Sequence, residues 1–125
     1  MKLPAGHQRV IPYLILKDAE GFFKFTTSVF DAKETFRSYR EETKVLSHCE
    51  IAIGDCAIMF AESTANWGVE NAGLFVYMDD PDAAFNKAIK AGATEVMPMT
   101  DQHYGRSGGV KDPFGNTWWI TGVTN

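Results

Sequence analysis

His48 and Glu50 lie two residues apart in the run Ser47-His48-Cys49-Glu50-Ile51-Ala52-Ile53, so on a strand both side chains leave the same face. An imidazole beside an orienting carboxylate can work there as a general base, and the pair can also supply part of a metal site. The plainer reading of such a histidine is a hydrogen-bonding residue toward a neighbouring strand or at a dimer interface. A second group, Tyr104-Gly105-Arg106, belongs to a glycine-bearing loop with Gly108 and Gly109 that leads to Asp112. Arg106 can hold an anionic group through two parallel N–H bonds, or pair with Asp101 or Asp112 and fix its own loop. Gln102 and His103 beside it read as solvated, and His7 as part of a mobile terminus outside the chemistry. The third group is aromatic: Trp67 and Trp119 can stack on a planar ligand, with Tyr13, Phe75 and Tyr77 adding apolar wall. The sequence holds no phosphate loop, nucleophile elbow or Cys-x-x-Cys, which leaves nucleotide hydrolysis and Ser or Cys acyl transfer without support.

A duplicated unit positions these residues. Laid over itself at a shift of about 61 residues, the chain matches Asp18 with Asp79, Ala32 with Ala93, Glu34 with Glu95 and Gly54 with Gly115. Each half opens with an apolar strand, Ile11 to Leu16 or Leu74 to Met78, and continues into a helix. The second helix has Asp80 as N-cap, Pro81 at its first position, Phe85, Ala88 and Ile89 on one face, and Gly92 as its stop. The first starts after Asp18 and sets Phe22, Phe25 and Val29 on one stripe, although Gly21, Thr26 and Thr27 make it a poor helix by propensity. Three strands close each half. They run from Glu34 to Arg40, Ser47 to Ile53 and Cys56 to Ala61, turning at Gly54-Asp55, and from Glu95 to Met99, Gly108 to Lys111 and Thr117 to Thr121, turning at Pro113 to Asn116. The pattern is β-α-β-β-β, twice, with Glu62 to Asn71 as linker.

A two-residue turn at Gly54-Asp55 pairs Ile53 with Cys56, Ile51 with Ile58 and Cys49 with Phe60 on one face. All six are apolar, so this face goes under the helices, and both cysteines read as small buried hydrophobes with no disulfide between them. The other face carries Ala52 with Ala57, Glu50 with Met59 and His48 with Ala61. By the same parity Leu14, Leu16, Val76, Met78, Trp118 and Ile120 point to the helices, while Ile11, Tyr13, Ile15, Phe75, Tyr77, Thr117 and Trp119 line an aromatic cup.

With 125 residues, 45% of them hydrophobic and 22% charged, the chain has an ordinary globular composition for a single domain. Its net charge of −4 argues against a nucleic-acid partner or an anionic membrane surface. No apolar run approaches a membrane span and the start lacks a signal peptide's apolar stretch, so the expected location is cytoplasmic.

Two stretches resemble a known family. They are Ser47 to Asp55 followed by Cys56-Ala57-Ile58-Met59-Phe60, and Tyr104-Gly105-Arg106 followed by Asp112-Pro113-Phe114-Gly115-Asn116-Thr117-Trp118-Trp119-Ile120. With Ile11-Pro12-Tyr13-Leu14 they look like the glyoxalase/bleomycin-resistance (vicinal oxygen chelate) superfamily, close to its PhnB-like branch, over about Val10 to Val123. The resemblance implies an α+β fold in which two βαβββ modules, about 10–62 and 72–123, form a curved eight-stranded mixed sheet around a cup with the helices on its convex face. It also implies a homodimer. Metal-using members place ligands on the first and last strands of each module. Those positions here are Ile11, Met59 (or Ile58, with the turn counted one residue differently), Gly73 and Trp119, none of which offers nitrogen, a carboxylate or a thiolate. Asp31 stands where a glycine is common after the first helix, and Thr26 where an aromatic is common.

The expectation is therefore a small-molecule-binding protein without the usual metal or another cofactor, taking a largely apolar or aromatic compound, anionic ones included. Its ligand-binding residues would be Tyr13, Met59, Trp67, Phe75, Tyr77, Tyr104, Arg106 and Trp119. The competing expectation is a lyase, isomerase or dioxygenase using a metal or base supplied through His48, Glu50 or Glu62. A third is a scaffold domain whose cup is filled by its own side chains.

Overall fold

The computed structural model describes residues 1–123 and resolves two compact units. The first takes Met1–Thr27 and Asp31–Asn71, and the second takes Ser28–Phe30 and the chain from Ala72 onward. Strands β1 (Tyr13–Leu16), β2 (Lys33–Tyr39), β3 (Leu46–Ile53) and β4 (Cys56–Glu62) form a sheet of order β1-β4-β3-β2, with helix α1 (Ala19–Phe30) between β1 and β2 in sequence. Strands β5 (Gly73–Tyr77), β6 (Thr94–Gln102), β7 (Gly105–Lys111) and β8 (Thr117–Val123) repeat that order as β5-β8-β7-β6, with helix α2 (Pro81–Lys90) after β5. In each sheet the first and last strands are parallel neighbours and the others antiparallel. The fold is α+β, two βαβββ modules whose eight strands divide four and four. No helix among the described residues is long and apolar enough to cross a membrane.

Helix α1 forms where propensity is weak because its ends are well served. The Asp18 carboxylate accepts from the Gly21 amide at 2.9 Å, and both oxygens of Glu62 on β4 take the amides of Asp18 and Ala19 at 3.0 and 2.8 Å. Three of the orphan donors at the helix start are thus satisfied. Phe22, Phe25 and Val29 are buried, and Phe22 meets Phe60 of β4 edge to face at 4.9 Å. Burial of such rings stabilises by roughly 1.5–3 kcal/mol each. Thr26 is buried as well, its hydroxyl donating back to the carbonyls of Phe22 and Phe23. The helix stops at Asp31, which sits in the left-handed region at φ 56, and that is why glycine suits the position. In the second unit Phe30 lies 4.4 Å from Trp118, ring centroid to ring centroid.

The β3–β4 register is the one the Gly54-Asp55 turn implies, from Ile53↔Cys56 to Cys49↔Phe60. Cys49, Ile51, Ile58 and Phe60 are buried, and burial pushes the Cys49 thiol up to about 11. Cys56 departs from the expectation: it directly follows the turn, on the last rung of the hairpin, and is exposed. Ile89 departs too, at 39% exposure; the buried stripe of α2 is Pro81, Ala84, Phe85 and Ala88.

β6 and β7 are longer than their composition suggests, and Gly105 and Arg106 lie on strand β7, not in a loop. The glycines there serve close approach rather than looseness. A Cβ on Gly109 would come within 2.5 Å of the Trp119 ring, and one on Gly105, at φ +139, would collide with the Gly122 carbonyl. The Asp112-Pro113-Phe114-Gly115-Asn116 turn is built around the Asp112 carboxylate, 4% exposed, which accepts from the Phe114 and Asn116 amides and from the Trp118 indole N–H at 2.8 Å. The Asn116 side chain donates to it as well and accepts from the Ala72 amide.

The N-terminal segment is held down along β4. The Gln8 side-chain amide donates to the Ala57 carbonyl at 2.8 Å and accepts from the Ala57 N–H at 3.0 Å.

Candidate functional site

On the first unit's sheet the ladder carries Tyr13↔Met59, Met59↔Glu50 and Phe36↔Glu50 across one row. Met59, rather than the buried Ile58, therefore shares the face of Tyr13 and Glu50. His48 stands on the neighbouring row, its Nδ1 3.0 Å from the Tyr13 hydroxyl and its ring 5.4 and 5.6 Å from the rings of Tyr13 and Phe36. Glu50 is engaged elsewhere. Its carboxylate meets His7 Nε2 at 2.6 Å and accepts from the Thr35 hydroxyl at 2.7 Å. Burial works against the charge on Glu50, but the Thr35 and His7 hydrogen bonds, with the fields of His7 and His48, outweigh it and hold the carboxyl below its usual range. A carboxylate so stabilised is a weak base. His48 and Glu50 share a face without a hydrogen bond between them, and His7, read as a bystander in a mobile terminus, is the histidine that Glu50 holds.

Beside Tyr13 the unit encloses a hollow of about 350 Å³. Tyr13, Ile15, Ala61 and Trp67 supply its apolar lining, and Arg40, Ser47 and Glu62 its polar one. Trp67 is 65% exposed, yet its loop is fixed by a reciprocal pair: the Trp67 amide donates to the Thr64 hydroxyl at 3.0 Å and the Thr64 amide to the Trp67 carbonyl at 2.9 Å. Both Glu62 oxygens are committed to the start of α1. Arg40 and Ser47 were not legible as site residues. Arg40 precedes the charged turn Glu41-Glu42-Thr43-Lys44 and reads as one more solvated charge.

In the second unit Phe75, Tyr77 and Tyr104 are exposed and adjacent: Phe75 and Tyr77 meet edge to face at 5.2 Å, and Phe75 lies 6.4 Å from Tyr104. His103 abuts Tyr104 at 5.1 Å. Trp119 pairs in register with Phe75 and lies over Gly109, while Trp118 points the other way and is 1% exposed, as parity requires. Arg106 is bound by Asp82 of α2 through two parallel bonds of 3.0 and 3.1 Å and by Asp101 at 3.3 Å. Of the two ion-pair partners expected for it, Asp101 is present and Asp112 is not, and Asp82 is an addition that sequence separation concealed. Its donors are thus largely spoken for.

The side chains of Ile11, Met59, Gly73 and Trp119 lack the donors a divalent ion needs. Among the described residues no three His, Cys, Asp or Glu side chains gather to hold a metal.

With this geometry in place, comparison with known proteins is specific about family. The model of the Glyoxalase/Bleomycin resistance protein/Dioxygenase superfamily matches residues 8–120. An uncharacterized protein of Mycobacterium bovis is 30% identical over 119 residues, covering 86% of this chain and 78% of that protein. The PhnB protein of Bacillus cereus superposes with a TM-score of 0.72 at 19% identity, over 93% of this chain and all (100%) of the other. TnmS3, an antibiotic binding protein from Streptomyces, does so with a TM-score of 0.70 at 15% identity, over 98% of both chains. At these identities the two structures speak for the fold alone.

Proposed function

The chain belongs to the glyoxalase/bleomycin resistance protein/dioxygenase superfamily, and from that premise we propose that it binds a small, largely aromatic molecule without the family's usual metal. The observation that carries this reading is the hollow of the first unit, of about 350 Å³ with rings at its rim, within the size range of small-ligand sites. Tyr13 and Trp67 offer flat apolar faces with a polar tip each, a combination that holds planar compounds. A structural relative described as an antibiotic binding protein agrees with it. Phe75, Tyr77, Tyr104 and Trp119 form a second aromatic surface for the same ligand class, and Met59 continues the wall beside Tyr13 on the first.

The donor set at the four family positions supports binding without metal. An enzymatic reading keeps one support, the Tyr13–His48 hydrogen bond at 3.0 Å. It gives a histidine of fixed orientation next to the hollow and needs no His48–Glu50 pair. We also assign a two-fold homodimer, because exposed Tyr13, Phe36, Phe75 and Tyr77 make apolar surface that soluble monomers seldom keep. A cytoplasmic setting suits the two free cysteines.

The test is titration of the purified protein with a panel of flat aromatic compounds, read by tryptophan emission. Saturable quenching that Trp67→Ala removes is the expected result. A panel that leaves the emission unchanged, with a metal bound one per chain, would overturn the reading in favour of the enzyme.

A further inference from the structure

Two arginines of this fold, Arg37 and Arg106, are held by carboxylates, and a third, Arg40, has a buried donor without a partner among the described residues. Arg37 is met by Glu34, Glu20 and the Tyr39 hydroxyl. Arg106 is met by Asp82 and Asp101. Arg40 lines the hollow of the first unit and meets no carboxylate among the described residues. Its Nη2 donates to the Glu62 carbonyl at 3.2 Å, while its Nε is buried without a hydrogen-bond partner among the described residues. A guanidinium N–H left unmade away from water is costly, roughly 1–3 kcal/mol for a neutral group and more for a charged one. The backbone at this position is held by its neighbours. The Arg40 amide donates to the Val45 carbonyl at 2.8 Å, and the Arg40 carbonyl accepts from both the amide and the hydroxyl of Thr43.

We propose that Arg40 is the anion-recognising residue of this hollow and that the ligand is a flat aromatic carboxylate, its ring on Trp67 and Tyr13 and its carboxylate on the guanidinium. The proposal rests on the ligand-binding reading above and names the chemistry of the ligand. The hydrogen bonding of the hollow favours it. The acid on the lining, Glu62, has both oxygens committed to the backbone amides of Asp18 and Ala19 instead of to Arg40, so the guanidinium is the charged group there that meets no side-chain partner among the described residues. Ser47, whose hydroxyl is shared with Ser38 at 2.8 Å, adds a second polar group on the same lining. A carboxylate matches the planar guanidinium fork, and Trp67 and Tyr13 on the same lining offer faces for its ring.

The experiment uses 1-naphthoate and its neutral isostere naphthalene-1-carboxamide, titrated into the full chain by calorimetry at low and moderate salt. The expected result is naphthoate binding about ten-fold or more tightly than the carboxamide, the range of a charge-assisted hydrogen bond. Arg40→Gln removes that preference by weakening naphthoate far more than the carboxamide; Arg106→Gln keeps the preference. Arg40→Lys, which retains the charge on a flexible stem, keeps part of it and guards against a fold lost in Arg40→Gln, with thermal melts run on every variant. Equal binding of the two probes to the wild type, or a preference that survives Arg40→Gln, overturns the role of Arg40 while leaving the aromatic site standing. Failure of both probes to bind at millimolar concentration overturns the site and the proposal together.

Discussion

The two units share a strand order, a parallel first-to-last pair and a helix after the first strand, yet they present different chemistry on their sheets. The first unit's face is mixed. Glu50, Thr35 and His7 make a polar network on it, His48 bonds to Tyr13, and beside Tyr13 there is a hollow lined by an arginine that meets no carboxylate among the described residues. The second unit's face is rings and glycines, with Phe75, Tyr77 and Tyr104 clustered and Trp119 seated over Gly109, and its arginine is neutralised by two aspartates. The two units keep one strand order and an apolar buried side, and differ in what they carry on the open side. Function is to be sought where the copies differ.

The largest effect expected separates the two neighbours on β8. Trp118→Ala should cost roughly 3–5 kcal/mol of stability in chemical denaturation, since it empties a buried ring site and removes a donor from the buried Asp112 carboxylate. Trp119→Ala should leave a folded protein and weaken binding of a flat aromatic ligand by roughly 1–3 kcal/mol if the second unit's face contributes to the site. Trp67→Ala, titrated in parallel, asks the same of the first unit. Loss of binding in Trp67→Ala alone would confine the ligand to the hollow; loss in Trp119→Ala alone would move it to the second unit. A Trp118→Ala protein that is stable but no longer binds would invert the assignment of faces.

The helix stops allow a comparison of opposite signs. Gly92 follows α2 at φ +106, and a Cβ there would lie 3.2 Å from the Pro113 ring, so Gly92→Ala should destabilise by about 1 kcal/mol or somewhat more. Asp31 ends α1 in the same left-handed region with a side chain attached, so Asp31→Gly should stabilise by a few tenths to about 1 kcal/mol. Thermal melts of the two variants should move in opposite directions.

The smallest effect is on pH dependence. Glu50 and Asp82 both have carboxyls held below their usual range. Glu50 must overcome burial, which its bonds to Thr35 and His7 do, and Asp82 is lowered chiefly by its bond to Arg106. For each, the unfolded chain binds the proton more readily than the folded one. The stability they add is therefore present above the unfolded value, 4.5 for Glu50 and 3.8 for Asp82, and is lost as pH falls through the lower folded value. Glu50→Gln should flatten the acid limb of the stability curve more than Asp82→Asn, because the Glu50 side chain is 12% exposed and that of Asp82 47%. Added salt should erase the Asp82 contribution first.

Local rules made much of this readable. A two-residue turn sets the hairpin register, Asp80-Pro81 opens a helix, and alternation assigns Trp118 and Trp119 to opposite faces. What sequence concealed depends on partners far along the chain. His7 reaches Glu50 across 43 residues and Arg106 reaches Asp82 across 24, and nothing local signals either contact. Arg40 is hidden differently: a charge before a charged turn looks solvated, and only the fold sets it on one hollow with Trp67. In β7 the glycines mimic a loop because their purpose, room for Trp119 and Met99, lies on other strands.

Gln8 clasps Ala57 by offering one amide C=O and one amide N–H, the same two groups a peptide unit would present. A side chain thus impersonates a strand at the stretch of β4 that β1 does not reach. Without it, that margin of the sheet would offer an unpaired donor and acceptor to any extended segment passing by, the usual opening for strand addition and aggregation. Trimming the chain to begin after Gln8, or fusing a bulky handle close in front of it, would therefore be a change in solubility before it was a change in fold.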